Sequence, residues 1–210
     1  VRRRDTGTRV TPENPSPAPT PTLKGREIIV AVCGGIAAYK VCDVVSKLAQ
    51  SGAGVTVVMT DDAQKFVTPL TFEALSGRRV YTNIYDIDSG DAQHIKLTER
   101  ADLMLVAPAT TNMIAKVANG LTGDIVSLMI CAAACPVVFA PSMNDRMWAN
   151  PIAQENVAKL DRHGYRFIGP EPGWLACRNV GKGRLTEPST IVDEVVKFLA
   201  EEGATSRGAK

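Results

Sequence analysis

The sequence predicts a parallel α/β sandwich, one sheet between two layers of helices. Three observations predict it. Short apolar runs rich in β-branched residues recur, each bounded by glycine or proline. Segments with apolar residues at helical spacing fill the intervals. The first run stops at Gly34-Gly35 and passes directly into such a segment. Strands buried on both faces read as continuous apolar runs, and the crossovers between parallel strands are usually helices.

Each element follows in order. Ile28 to Cys33 is the first strand. The stretch IAAYKVCDVVSKLAQSG places Ile36, Val41, Val44, Val45 and Leu48 at helical spacing and ends at Gly52, a helix C-cap residue. GVTVVMT is the second strand, completing a β–Gly–α–β crossover over residues 27–59. Leu103 to Ala107 is the third strand, stopped by Pro108, and TNMIAKVANG and DIVSLMICAAA follow as helices. PVVFAPSMN holds a fourth strand ended by Pro141, NPIAQENVAKLDRHG a helix, and YRFIGP a short fifth strand. TEPSTIVDEVVKFLAEE is the last helix, with a polar, acidic start. Five strands alternating with helices make a flavodoxin-like or Rossmann-like three-layer sandwich, a single domain over residues 25–200.

The flanks read differently. Residues 1–24 hold five of the 13 prolines and little to bury, so a disordered extension is expected there. Residues 201–210 read as a frayed tail. The formal net charge is +2. Residues 1–24 carry five basic and two acidic groups, so the remainder is at −1 and offers no nucleic-acid footprint. No run of 18 apolar residues is present, so no membrane span is expected. No apolar segment follows Arg2–Arg4, and the cysteine count is odd, five. Both point to a reducing cytoplasm without a disulfide framework. Cys131 and Cys135 fall four apart on an expected helix and read as small buried thiols; no metal site is expected.

In such folds ligands bind at the carboxyl ends of the strands. After strand one, Gly34-Gly35-Ile36 is either a phosphate-approaching turn or a plain tight turn, and it is not GxGxxG. After strand two comes Thr60, a hydroxyl for a phosphate or ribityl group, then Asp61-Asp62, a capping turn. After strand three, Thr110, Thr111 and Asn112 either hold a phosphate or cap the next helix. After strand four, Asn144 sits in PSMNDRMW. These groups are neutral hydrogen-bonding ones, which suits a phosphate-bearing cofactor with a planar ring, such as FMN. His94 precedes strand three. GWLACRNVGKGRL, flanked by prolines, reads as an irregular binding loop or lid. Cys177 within it is either a reactive thiol or a buried spacer.

GGIAAYK, HIKLTERAD, VAPATTNMIAKVANGLTGD, APSMNDRMWANP and GWLACRNVGKGRL occur in this order. Together they resemble the homo-oligomeric flavin-containing Cys decarboxylase family over about residues 26–200, and most strongly its members acting on 4′-phosphopantothenoylcysteine. The specific parts are PxMNxxMW (Pro141 to Trp148) and ACxxxGxGR (Ala176 to Arg184). The resemblance implies a small-molecule substrate and FMN at subunit contacts of a homotrimer or dodecamer. It assigns cofactor contacts to Gly34, Gly35, Ile36, Thr60, Phe66, Thr110, Thr111, Asn112 and Ala140. It assigns substrate contacts to Asn144, which would hold the carboxylate, and to Met147, Ala176 and Arg184. His94 and Cys177 would be the catalytic pair.

The implied reaction oxidises the substrate thiol to a thioaldehyde by hydride loss to the flavin. Carbon dioxide then leaves, and the resulting ene-thiol is reduced to 4′-phosphopantetheine, with Cys177 as proton donor. His94 would serve the oxidative half. One position departs from the family: Arg178 stands where glycine is usual after the cysteine, and arginine tolerates φ > 0 poorly. Either the clamp closes differently, or Arg178 helps hold a substrate phosphate. The chain reads as monofunctional, without a fused ligase. Rival readings are a peptidyl-cysteine decarboxylase, argued against by Cys177; a flavin prenyltransferase, argued against by His94 and Asn144; and a flavin-binding regulatory protein, argued against by a tail that is short and basic.

Overall fold

The computed structural model describes residues 23–85 and 93–205, with the side chains of residues 93–94 and 203–205 outside that description. Nearly all of the expected extension, residues 1–22, also lies outside it. Leu23 belongs to the folded body: it is buried, and its N–H donates to the Ser51 carbonyl at 2.7 Å.

Five parallel strands form the sheet: β1 (Glu27–Val32), β2 (Gly54–Met59), β3 (Leu103–Ala109), β4 (Val137–Pro141) and β5 (Arg166–Phe167). Their order is β2-β1-β3-β4-β5, the flavodoxin order, with the switch point between β1 and β3. The helices are α1 (Ala38–Gln50), α2 (Pro69–Ser76), α3 (Gln93–Arg100), α4 (Thr111–Ala118), α5 (Ile125–Cys131), α6 (Asp145–Trp148), α7 (Pro151–Arg162) and α8 (Pro188–Thr205). The period of two along β1 divides the core. Ile28, Val30 and Val32 pack with α1, α2 and α8, while Ile29, Ala31 and Cys33 pack with α4, α5 and Leu160 of α7. The α/β three-layer expectation is met.

Several boundaries differ from the sequence reading. Strand β3 does not stop at Pro108 but runs to Ala109, with its register against β4 shifting between Val106 and Ala109. Proline has no N–H to give the ladder, so the chain bulges there instead of ending. Helix α5 ends at Cys131, so Cys135 is off the helix; Cys131 is exposed and Cys135 half-buried, not the buried pair expected. Helix α8 continues past Ala200 to Thr205, because Glu201, Glu202 and Ala204 are good helix formers. Helices α2 and α3 fill stretches with no expected element. The proline-flanked loop is a β-hairpin: β6 (Glu171–Trp174) pairs antiparallel with β7 (Val180–Arg184).

Candidate active site

At the carboxyl end of β1 the chain turns through Gly34-Gly35. A Cβ on Gly34 would sit 2.3 Å from Asp62 Cβ and 2.9 Å from the Asp62 carbonyl carbon, so only glycine lets the turns after β1 and β2 touch. A Cβ on Gly35 would meet nothing closer than 3.8 Å. Here glycine keeps the backbone open rather than relieving a clash. Ala37 at the N-cap of α1 brings no side-chain cap, and in the first turn Ala38 N donates to Gly35 O at 2.9 Å and Lys40 N to Ala37 O at 3.0 Å. An anion seat here would therefore be built from the N–H groups of the turn ahead of the helix.

The loops after β2 and β3 show what caps and what is left over. Thr60 Oγ1 accepts from Ala63 N at 3.2 Å, which fixes the turn and leaves its O–H to donate. The Asp62 carboxylate accepts from Lys65 Nζ at 2.6 Å, an exposed pair that holds Asp62 below the usual carboxylate range. Thr110 Oγ1 accepts from Met113 N at 3.2 Å, the helix-cap alternative, and Thr111 Oγ1 donates to Met143 Sδ at 2.9 Å. Asn112 is exposed beside them, with no side-chain partner among the described residues.

The PSMN segment and the hairpin close the site. Asn144 caps α6: its Oδ1 accepts from Arg146 N at 2.8 Å. That bond fixes the amide so that Nδ2 is the group left over, and Nδ2 donates to Cys177 Sγ at 3.1 Å. Strand β7 docks on the same segment, with Met143 N donating to the Gly183 carbonyl at 2.9 Å. A Cβ on Gly183 would lie 2.2 Å from Met143 O, and one on Gly181 2.6 Å from Asp145 Cβ. The alternating glycines of GKG therefore let the strand lie flush on α6. Between them, Lys182 Nζ sits 5.9 Å from the Trp148 ring centroid. At the hairpin tip, Arg178 N donates to Leu175 O at 2.9 Å and Leu175 N to Asn179 O at 2.8 Å. Arg178 has φ 66°, the left-handed residue that closes a three-residue hairpin loop.

These segments enclose a cavity of about 670 Å³, within the range of small-molecule sites, ~300–1,000 Å³. Its lining includes Gly34, Gly35, Ile36, Thr110, Thr111, Asn112, Asn144, Met147, Ala176, Cys177 and Arg184, so most of the expected site residues come together. Thr60, Phe66 and Ala140 do not line it. Ala140 is fully buried in the core with α1 and α8, because β4 points it inward, and Phe66 lies half exposed after the turn beyond β2. His94 is the second residue of α3; its side chain lies outside the described residues. Lys40, Trp174 and Leu185, which fall within the motifs GGIAAYK and GWLACRNVGKGRL without an assigned role, also line the cavity.

The lining has two cations, both engaged. Arg184 donates to Glu187 at 2.7 Å and to Glu171 at 3.0 Å, so its expected substrate role meets a guanidinium already held by two carboxylates. Lys40 Nζ lies 3.5 Å from Glu187 Oε1. Burial pushes the Cys33 thiol up to about 12, so among the cavity's neighbours it is inert. Among the described residues no cluster of three His, Cys, Asp or Glu could hold a metal, and no helix is long and apolar enough to cross a membrane.

Residues 17–200 match the Flavoprotein family. The coenzyme A biosynthesis bifunctional protein CoaBC of Bacillus subtilis (strain 168) is 47% identical over 181 residues, covering 86% of this chain and 45% of that protein. The chain thus spans about half the length of the curated relatives it matches. Among solved structures, a PPC decarboxylase mutant complexed with pantothenoylaminoethenethiol superposes with TM-score 0.73 at 27% identity, covering 82% of this chain and 97% of that one. The FMN-dependent cysteine decarboxylase SpaF superposes with TM-score 0.74 at 31% identity, covering 85% and 99%. With the match running through the whole sheet, the cavity and the hairpin, the chain belongs to the Flavoprotein family.

Proposed function

We propose that this chain binds FMN and decarboxylates 4′-phosphopantothenoylcysteine to 4′-phosphopantetheine, a step of coenzyme A biosynthesis. The observation that carries the reading is the Asn144 Nδ2–Cys177 Sγ contact at 3.1 Å, which joins the PSMN segment to the hairpin over the cavity. It sets side by side an amide donor suited to a carboxylate and a thiol suited to proton donation. The lining fits FMN. The open turn at Gly35, just ahead of α1, would take the phosphate on its main-chain N–H groups, and Asn112, whose amide has no partner among the described residues, would take a polar edge. The two lining cations, Lys40 and Arg184, are already paired with Glu187 and Glu171, so a bound anion would rest on main-chain N–H groups and neutral polar side chains. The exposed apolar residues Ile36, Tyr39, Met147 and Trp174 on the same cavity support completion by further copies, as a homotrimer or dodecamer. Thr60 and Phe66 would then reach cofactor only across such a contact.

FMN, when bound, supplies the acceptor and later the donor of a hydride. The chain's own residues do the rest. His94, on α3, would take the thiol proton as the substrate is oxidised. Asn144 would hold the carboxylate by Nδ2 until carbon dioxide leaves. Cys177 would give a proton to carbon as the ene-thiol is reduced, and regain one from solvent. The balance is one substrate carboxylate and one proton in, one carbon dioxide and one saturated thiol out, with no net redox change. The hairpin and Leu185, which line the cavity, would shield that exchange from water once substrate is bound.

The test is turnover by the purified protein, which is expected to be yellow, followed by mass spectrometry. The wild type should convert 4′-phosphopantothenoylcysteine and leave a peptide ending in cysteine untouched. Cys177→Ser should accumulate a decarboxylated product that is still oxidised, and His94→Asn should fail at the oxidation. Full turnover by Cys177→Ser, or a protein that takes up no FMN, would overturn the reading.

A further inference from the structure

We infer that Arg178 is a specificity residue that reads the terminal phosphate monoester of the substrate. The inference rests on the function proposed above and deepens it. Three observations carry it. Arg178 is the sole non-glycine residue with positive φ among those described, at 66°. A left-handed arginine is a conformation a protein keeps only where something over-determines it, and such outliers gather at ligand clamps. Nothing in the fold needs an arginine there: the turn is closed by main-chain bonds, Arg178 N to Leu175 O and Leu175 N to Asn179 O, which glycine would make equally well.

The second observation is the state of the hairpin's three cations. Arg184 is held by Glu171 and Glu187, and Lys182 lies over Trp148. The Arg178 side chain is exposed and has no hydrogen bond or ion pair with any described residue. It is therefore the hairpin's one guanidinium with its donors available, since Lys182 is an ammonium drawn to the Trp148 ring. The third is position. Arg178 directly follows Cys177, the thiol held by Asn144 at the cavity, while Trp174, Leu175 and Ala176 line the wall. A substrate with its cysteine end at Asn144 and Cys177 carries its phosphate at the opposite end of a long chain, and Arg178 would meet it where that chain passes back along the hairpin. Inside the cavity Lys40 and Arg184 already have carboxylate partners. A free guanidinium at the rim is matched to a phosphate by two parallel N–H donors.

The experiment compares wild type with Arg178→Gln, Arg178→Lys and Arg178→Gly, each FMN-loaded. Calorimetric titration uses 4′-phosphopantetheine and pantetheine as probes, and kcat/KM is measured for the phosphorylated and unphosphorylated cysteine substrates. For Arg178→Gln, Kd for 4′-phosphopantetheine should rise about tenfold, as loss of a charged hydrogen bond predicts, while Kd for pantetheine stays put. The kcat/KM preference for phosphate should shrink in step through KM, with kcat kept. Arg178→Lys should retain part of the preference. Arg178→Gly should lose it while its thermal midpoint rises by about 2 °C, as left-handed strain is relieved. Arg162→Gln on α7 removes the same charge away from the hairpin and should change neither ratio. An unchanged preference in Arg178→Gln overturns the inference, and so does an equal weakening of both ligands, which would mark a role in turn shape alone. A wild type that binds neither probe overturns the proposed function, and the inference with it.

Discussion

Glycines 34 and 35 are neighbours with different physical reasons to exist, and that difference can be tested. At position 34 a Cβ would be driven into Asp62, backbone included, 2.3–2.9 Å away. At position 35 it would touch Thr110 Cγ2 at 3.8 Å, an ordinary contact. Gly34→Ala should therefore cost about 1–3 kcal/mol, the usual penalty of overpacking, read as a lower urea midpoint. Gly35→Ala should leave the midpoint nearly unmoved. If the open turn is an anion seat, Gly35→Ala should nonetheless weaken FMN retention, measured by flavin fluorescence on dilution. Equal loss of stability in the two variants would mean the turns after β1 and β2 are not in contact. The same residue-scale accounting separates the threonines: Thr60 and Thr110 are occupied by N–H groups of their own turns, whereas Asn112 is not.

At the scale of elements, α5 shows a complete start. Asp124 Oδ1 accepts from Ser127 N at 2.9 Å and Asp124 N donates to Ser127 Oγ at 3.2 Å, a reciprocal cap. Lys116 of α4 adds an ion pair at 2.6 Å. Burial by itself raises the Asp124 carboxyl, but the bonds from Lys116 and Ser127 outweigh it and hold it below its ordinary value. A depressed folded value means the carboxylate stabilises the fold above the unfolded pKa, about 3.9, and that support fades as pH falls through the lower folded value. Asp124→Asn keeps a capping oxygen and loses the ion pair. Its urea midpoint should lie below wild type at pH 7, and the gap should narrow towards pH 3; a gap constant with pH would deny the ion pair any part. Legibility also varies by element. Strands β1, β2 and β3 were plain because burial on both faces leaves only apolar residues. Helix α2 buries only Phe72, so no periodicity announced it. The hairpin reads as a loop in the sequence because its strands are held by main-chain docking on Met143 and carry Gly181 and Gly183 instead of an apolar face. The site was legible where it follows strand ends, at Gly34–Ile36, Thr110–Asn112 and Asn144. Lys40, Trp174 and Leu185 fall inside the motifs GGIAAYK and GWLACRNVGKGRL, but what each does at the cavity depends on tertiary placement, which no local spacing records.

Across the whole molecule, the five cysteines are free and spread over every depth of the structure, so their reactivity can report its layers separately. Cys33 directly follows β1, buried, with its thiol pushed up to about 12 by that burial. Cys135 is half-buried, its thiol pushed up to about 11 by desolvation, and Cys42 is half-buried on α1 and raised in the same direction. Cys131 and Cys177 are exposed, on the C-terminal end of α5 and at the hairpin tip. Only thiolate reacts with a disulfide reagent, and only where it is reached. The folded protein should therefore give two fast thiols at pH 8, one of them removed by Cys177→Ser and the other by Cys131→Ser. Cys33 should react only with global unfolding, because the strand beneath it is covered by helices on both sides. The hairpin has no such cover: it lies outside the main sheet, with Trp174 and Val180 exposed on it. Low concentrations of urea should accordingly raise the rate at Cys177 well before they affect Cys33. FMN with 4′-phosphopantetheine should slow Cys177 and leave Cys131 as it was. Labelling of Cys33 on the timescale of Cys177 would mean that hairpin and sheet open as one unit, and the cavity would then have no independently moving wall.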